Sequence, residues 1–244
     1  MQYAMKSGTE VNGVLLVDKS QDMTSHDAVA ITRRSLNTKK VGHCGTLDPL
    51  ATGLLLITIG KGTKIQDLLM SEDKEYVGTM KLGEVTDSQD AQGQVIETKP
   101  IPELSISQIE MAFAKYHGDF YQTPPMVSAI KKDGVPLYKL ARQGKEVERE
   151  PRFVHVYAHE IQQVRIPEID FRVVCSKGFY VRTYANDIGQ ELGCGAHLTA
   201  LRRTKSGRFS VDGAVTIEEL KTLPREELAS RVLSLPEVSR LRGA

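Results

Sequence analysis

Twelve consecutive residues, Gly42 to Gly53, read GHCGTLDPLATG, and no other run constrains the fold of this chain as strongly. Glycine reaches positive φ or lets another group approach the backbone, and proline locks its own φ while steering the preceding residue away from helical geometry. Three glycines and Pro49 surround one acid, Asp48, so the run predicts a rigid, exposed loop that holds a carboxylate in place. Asp-Pro beside glycine is also ordinary turn chemistry, so on composition alone a plain connection between two elements is the commoner reading.

Around this loop the apolar pattern predicts strands and helices in alternation. Val14 to Val17 reads as a strand, and Thr24 or Ser25 caps a helix running to about Leu36. Leu54 to Ile59 is a buried strand, Thr63 to Leu69 a short helix, and Lys74 to Leu82 a strand. The stretch Thr86 to Gly93, TDSQDAQG, is turn-rich and acidic and predicts a solvated loop; Ser107 to Tyr116 is the next helix. From Gln122 to Arg152 the pattern loosens, with Pro124 and Pro125, a KKDG turn, and a short helical piece around Leu137 to Gln143. Strands return at Phe153 to Val164 and Phe171 to Ser176. A helix from Tyr180 to Leu192 ends against Gly193, and the tail from Arg208 holds one or two short helices. Pattern alone supports mixed α and β and nothing finer.

A hydrophobic fraction of 40% and a charged fraction of 26% exclude disorder or a fibrous class. No apolar run reaches membrane-spanning length, and the N-terminus lacks the layout of a secretory signal, which makes the cytoplasm the expected location. Cys44, Cys175 and Cys194 are an odd number at wide spacing and read as reduced and structural. His43 beside Cys44 has no second ligand pair to support a metal. The net charge of +1 means that any grip on nucleic acid must come from local patches, shape and stacking. One such patch is the loosened segment, where Lys131, Lys132, Lys139, Arg142, Lys145, Arg149 and Arg152 outnumber Asp133, Glu146, Glu148 and Glu150; a solvated amphipathic insertion has the same composition.

The Gly42 to Gly53 run and four others, VNGVLLVDKSQDMTSHDA, KEYVGTMKLGEVTDSQDAQG, CSKGFYVRTYANDIG and AHLTALRRTKSGRF, resemble in the same order the blocks of the TruB family of tRNA pseudouridine synthases. The resemblance implies an α+β pseudouridine synthase fold, a mixed and largely antiparallel central sheet flanked by helices with a cleft across it. A single catalytic domain over residues 1–244 is expected, with a mobile RNA-binding insertion at about 122–152 that presses on the RNA hairpin and a short tail at about 210–244. Many members continue into a PUA or PUA-like domain. The stretch after the core leaves no room for a domain of ~50 residues or more, so a form without it is expected.

Pseudouridine formation breaks the bond between uridine N1 and the ribose, turns the base and rejoins it through C5, with no redox change, metal or cofactor. The enzyme must draw the base out of a folded RNA, set an ionised carboxylate near the sugar or ring, and hold the detached uracil. By resemblance Asp48 is the catalytic residue, as nucleophile toward the sugar or the ring, or as base on the sugar. A buried carboxylate stays ionised only beside a cation or hydrogen-bond donors, and Arg182 in GFYVRT resembles the arginine paired with it. Without the resemblance Arg182 would read as a surface cation. Tyr76 resembles the family's active-site tyrosine, whose ring stacks on the flipped base for about 1 to 3 kcal/mol and whose hydroxyl assists proton removal from C5. Tyr180 and Leu201 match residues lining the base pocket, and His43 a histidine that fills space near the flipped bases. Lys64, Lys132, Arg142, Lys145, Arg152, Arg202 and Arg203 are the expected phosphate contacts, which position RNA without reading its sequence.

The implied substrate is the T stem-loop of tRNA at uridine 55, handled by a monomer without guide RNA, obligatory protein partner or membrane. A guide-dependent relative acting on ribosomal RNA is the alternative within the class, but its signature differs after Asp-Pro, where this chain has Leu50-Ala51-Thr52. An RNA-binding protein that holds the T arm during tRNA folding is the alternative outside it. A glycosidase normally needs two acids at a defined separation, and one stands out here. Two departures from the family pattern are visible: Lys19 is followed by Ser20, with Asp22 at the usual glycine, and Cys44 replaces a threonine.

Overall fold

The computed structural model describes residues 10–243 apart from Ala129, Asp133 and Arg142, and only the backbone of Lys131, Lys132, Pro136 and Tyr138. The chain divides into two compact units, Met1–Glu72 with Lys205–Ala244, and Asp73–Thr204.

The first unit opens with β1 (Gly13–Lys19), α1 (Ser25–Ser35), β2 (Val41–Cys44) and β3 (Thr52–Ile59), followed by a 3-10 turn (Gly60–Ile65) and α2 (Gln66–Met70). β1 and β3 pair antiparallel along their whole length, from Gly13 opposite Ile59 to Lys19 opposite Gly53. β2 lies antiparallel on β3, with Cys44 opposite Leu56. Seven of the eight β3 residues are buried, as a continuous apolar run implies for a strand covered on both faces. Leu54 and Leu56 join Val14, Cys44, Leu69, Phe209 and Val238 in one cluster, where truncating a leucine to alanine would cost about 2 to 5 kcal/mol. Thr24, rather than Ser25, caps α1: its hydroxyl accepts from Asp27 N at 3.1 Å, and Asp27 accepts from Thr24 N at 2.8 Å.

The second unit contains β4 (Lys74–Leu82), β5 (Glu84–Thr86), β6 (Val95–Thr98), α3 (Ile106–Ala114), β7 (Gly118–Gln122), β8 (Lys131–Lys132), β9 (Val135–Pro136), α4 (Leu137–Ala141), β10 (Arg152–Arg165), β11 (Glu168–Cys175), α5 (Val181–Glu191) and β12 (Ala196–Ser206). Its sheet runs β12-β4-β11-β10-β7. The pairings β4–β11, β11–β10 and β10–β7 are antiparallel. The inner rings of Phe113 on α3, Phe171 on β11 and Tyr184 on α5 meet edge to face at 5.8 to 5.9 Å, which fastens both helices to one face of the sheet. β12 ends in the first unit, where Lys205 and Ser206 pair with β13 (Phe209–Ser210). β14 (Val215–Thr216) then adds parallel to β1, and α6 (Ile217–Thr222), α7 (Arg225–Ser230) and α8 (Leu235–Arg242) close the first unit.

The α+β architecture with a largely antiparallel sheet follows the expectation, and β4 matches its expected bounds. Elsewhere the structure differs. Gly42 to Cys44 is strand rather than loop, so the Gly42 to Gly53 run is open only between Gly45 and Ala51. Among the described residues, three helices, not one or two, lie beyond Arg208. β12 is poorly announced because Arg202, Arg203, Thr204 and Lys205 interrupt its apolar pattern. The Thr86 to Gly93 stretch is not a solvated loop, since Thr86, Ser88 and Asp90 are all buried.

Candidate active site

Asp48 sits on a four-residue turn closed by Ala51 N donating to Asp48 O at 3.0 Å, with Pro49 in the second position that its fixed φ suits. The residues on either side are stapled to the segment between β1 and α1. Ser25 Oγ accepts from Leu47 N at 2.9 Å and donates to Leu47 O at 3.2 Å, while Asp22 N donates to Pro49 O at 2.9 Å. That segment is itself braced by the buried Lys19 ammonium, which donates to Ser20 O and Met23 O, both at 2.8 Å. Asp22 has φ +60°, which explains why glycine is usual at its position and why aspartate, which tolerates the left-handed region better than most residues, is an acceptable replacement.

The glycines of the run do different jobs. Gly45 and Gly53 have φ of +80° and +98°, whereas a Cβ at Gly42 would stand 2.3 Å from Gln66 Oε1, the mobile end of a side chain that would have to move aside. Asp48 is half-buried. His43, on β2 and also half-buried, meets the exposed His26 ring edge to face at 5.2 Å. Cys44 is buried and in no disulfide, in keeping with a packing role.

In the second unit Arg182 is 3% exposed, in the first turn of α5, and is no surface cation. Its Nη1 donates to Ser88 O and its Nη2 to Val127 O, both at 2.7 Å, and its Nε lies 3.7 Å from Asp90 Oδ2. Asp90, 4% exposed, is held in turn by Ser88 Oγ at 2.6 Å and Gln92 N at 3.1 Å. Burial of a cation is tolerable here because an anion and two carbonyls surround it. Sequence reading missed Asp90 as a site residue. Its polar run has no apolar period to betray burial, and the only available signal was the concentration of Ser, Asp and Gln beside a strand.

Tyr76 and Leu201 share one face of the second unit's sheet. Tyr76 on β4 stands opposite Val173, and two residues along, the space above Gly78 is taken by Leu201 Cδ1 and the Phe171 ring, 3.4 and 3.2 Å from where a Cβ would be. Tyr76 and Leu201 are each 8% exposed. Tyr180 is the half-buried residue that precedes α5 and lies two positions before Arg182. Tyr180 and Arg182 are therefore set by one turn, and Tyr76 and Leu201 by one sheet face. Asp48 belongs to the other unit.

The expected phosphate contacts divide. Lys64, Lys145 and Arg152 are exposed and Arg202 is half-buried. Lys132 lies on β8 with its side chain undescribed, and Arg142 lies outside the described residues. Arg203 is a correction. Strand alternation sends it to the same side as Leu201, it is 1% exposed, and a side chain so enclosed presents no donor to a phosphate on the surface. Burial pushes the Cys175 thiol up, while the charges of Lys74 and Arg203 act the other way.

Two family profiles match the chain, one for the TruB family pseudouridylate synthase N-terminal domain over residues 33–181, the other for the tRNA pseudouridylate synthase B C-terminal domain over 182–236. The chain is 56% identical to a tRNA pseudouridine synthase B of Opitutus terrae, covering 92% of this chain and 93% of that one. It is 48% identical to the protein of the same name from Syntrophotalea carbinolica, covering 94% and 75%. Among solved structures it is similar to a chain of an H/ACA ribonucleoprotein bound to a substrate RNA containing 2'-deoxyuridine, with a TM-score of 0.64, 28% identity, and coverage of 85% of this chain and 51% of that one. An archaeal box H/ACA ribonucleoprotein complex gives a TM-score of 0.69 at 26% identity, covering 95% and 61%.

Proposed function

The chain belongs to the TruB family of pseudouridylate synthases, and on that premise we propose that it isomerises uridine 55 in the T loop of tRNA to pseudouridine. Asp48 is the catalytic residue, acting on the sugar or the ring of the flipped nucleotide. Arg182 supplies the cation that keeps this carboxylate ionised, and Asp90, Ser88 and Val127 orient Arg182. Tyr76 stacks on the base and assists loss of the C5 proton after the glycosidic bond to N1 has been exchanged for one to C5. Tyr180, Leu201 and His43 line or fill the pocket, while Lys64, Lys132, Arg142, Lys145, Arg152 and Arg202 position the phosphates. The reaction consumes no co-substrate, because the bond broken and the bond formed involve the same base and sugar.

The observation that carries this reading is the way Asp48 is held, on a proline turn stapled on both sides by main-chain and serine hydrogen bonds. A carboxylate fixed before substrate arrives loses little freedom on reaching the transition state. The protein acts in the cytoplasm on free tRNA, as a monomer and without a guide; no helix of the described residues is long and apolar enough to cross a membrane.

The test is to incubate the protein with unmodified tRNA or an isolated T-arm hairpin and to map pseudouridine at nucleotide resolution, with Asp48→Asn alongside. Product at uridine 55 alone, absent with the variant, is expected. Tight binding without product would replace this reading with that of an RNA-holding protein.

A further inference from the structure

The charged insertion and the start of α5 are joined through one side chain. Gln122 is the last residue of β7, where the insertion leaves the sheet, and it is 2% exposed. Its Oε1 accepts from Tyr180 N at 2.8 Å and its Nε2 donates to Tyr180 O at 3.1 Å, so the amide pairs with the Tyr180 backbone as an opposing strand residue would. Tyr180 is the residue preceding α5, and its own side chain makes no capping hydrogen bond. Five residues after Gln122 the same segment reaches α5 again, through the Val127 carbonyl that accepts from Arg182. Between the two contacts lie Pro124 and Pro125, both buried, whose fixed φ stiffens the intervening chain.

We propose that Gln122 is a positioning residue that fastens Tyr180 and Arg182 to the root of the insertion, so that seating of an RNA hairpin against the insertion is felt at the guanidinium. The idea rests on the function proposed above for Asp48 and Arg182. It follows from the layout: the insertion's cations lie beyond Val127, whereas its two anchors on α5 lie at or before it. A hairpin that draws the insertion inward loads the Gln122–Val127 segment, which grips the start of α5 through the Tyr180 backbone and the Arg182 guanidinium. Gln122 touches neither RNA nor reacting atoms. Its action is on where Arg182 stands.

The test compares wild type with Gln122→Met, which keeps the length and burial of the side chain but removes both hydrogen bonds, and with Gln122→Glu, which keeps an acceptor for Tyr180 N and loses the donor to Tyr180 O. Single-turnover formation of pseudouridine on a T-arm hairpin is measured at saturating enzyme, hairpin affinity by titration, and amide exchange across residues 178–186 by mass spectrometry. A misplacement of about 1 Å at a reacting group lowers a rate by about 10²-fold, so Gln122→Met should reduce the saturated rate about 10- to 100-fold while affinity changes less than about 3-fold. Exchange should quicken at 178–186 and not in β1 or β3. Gln122→Glu should fall between the two. Combined with Arg182→Lys, Gln122→Met should add much less than its own separate factor, because both act on one group.

An unchanged saturated rate, a loss confined to affinity, or a rate loss that simply tracks the unfolded fraction would overturn the proposal. Unaltered exchange at 178–186 would overturn it independently of any activity. Wild type that makes no pseudouridine would instead defeat the proposed function, and the exchange result would still report on the clamp itself.

Discussion

Around Asp48 the fastening atoms are almost all main chain: Leu47, Pro49, Ala51 and Asp22 contribute backbone groups, with Ser25 as the side-chain link. Around Arg182 the side chain itself makes hydrogen bonds, to Ser88 and Val127, beside Asp90. The hydrogen bonds that close and staple the Asp48 turn do not involve its carboxylate. The turn that carries the proposed catalytic residue is thus closed by backbone, whereas Arg182 is itself part of the network that holds it.

The strongest challenge to that contrast is Asp48→Asn. It should lower pseudouridine formation by at least about 10³-fold while thermal unfolding stays within about 1 kcal/mol of wild type, read by product mapping and by calorimetry. A large loss of stability would show that the side chain, and not the turn, holds the loop. Next comes Arg182→Ala, which strands the buried Asp90 carboxylate and two carbonyls and should cost about 3 to 5 kcal/mol of stability as well as activity. Arg182→Lys, which restores charge but not the forked geometry, should recover most of the stability and little of the rate. Recovery of both would mean that charge alone matters at this position.

Further along α5, Asp187 extends the comparison to a charge without such support. Burial pushes its carboxyl above the usual range, partly offset by a hydrogen bond from Asn186. A raised folded value means that the neutral form is favoured in the fold, so stability contributed by this group is present below the unfolded value and lost as pH rises through the folded one. Asp187→Asn should therefore raise the unfolding midpoint at neutral pH, and the gain should vanish in acid below the usual carboxylate range. The smallest expected effect belongs to the Asp48 region: Asp22→Gly relieves the left-handed φ but loosens the unfolded chain, for a net gain below about 1 kcal/mol with the Asp22 N to Pro49 O staple and the activity intact.

The two regions also differ in how much of them could be read from the sequence. Asp48, its proline turn and its glycines are neighbours along the chain, so local backbone rules announce them. β3 and β4 were equally visible, one as a continuous apolar run and the other as a bounded strand. The Arg182 network is assembled from residues 88, 90, 127 and 182, and no periodicity links such positions. Asp90 looked like turn chemistry because burial of a polar residue has no local signature, and Arg203 looked like its neighbour Arg202 until the pleat placed it indoors. Gln122 stands among prolines and charges and acquires meaning only from where Tyr180 comes to rest.

Among the described residues, four helices begin with a reciprocal side-chain cap, α1 at Thr24, α3 at Ser105, α6 at Thr216 and α8 at Ser234, and so carry local instructions for starting. α5 carries none, and its entry is set by Gln122, 58 residues earlier. Closing so long an excursion is entropically slower than closing one helical turn. In a chain emerging from the ribosome the capped helices can therefore nucleate as they are made, whereas the turn that presents Arg182 acquires its shape only once β7 and α5 have found each other. On the function proposed above, catalytic competence would mature late in biosynthesis, timed by a contact of high sequence separation.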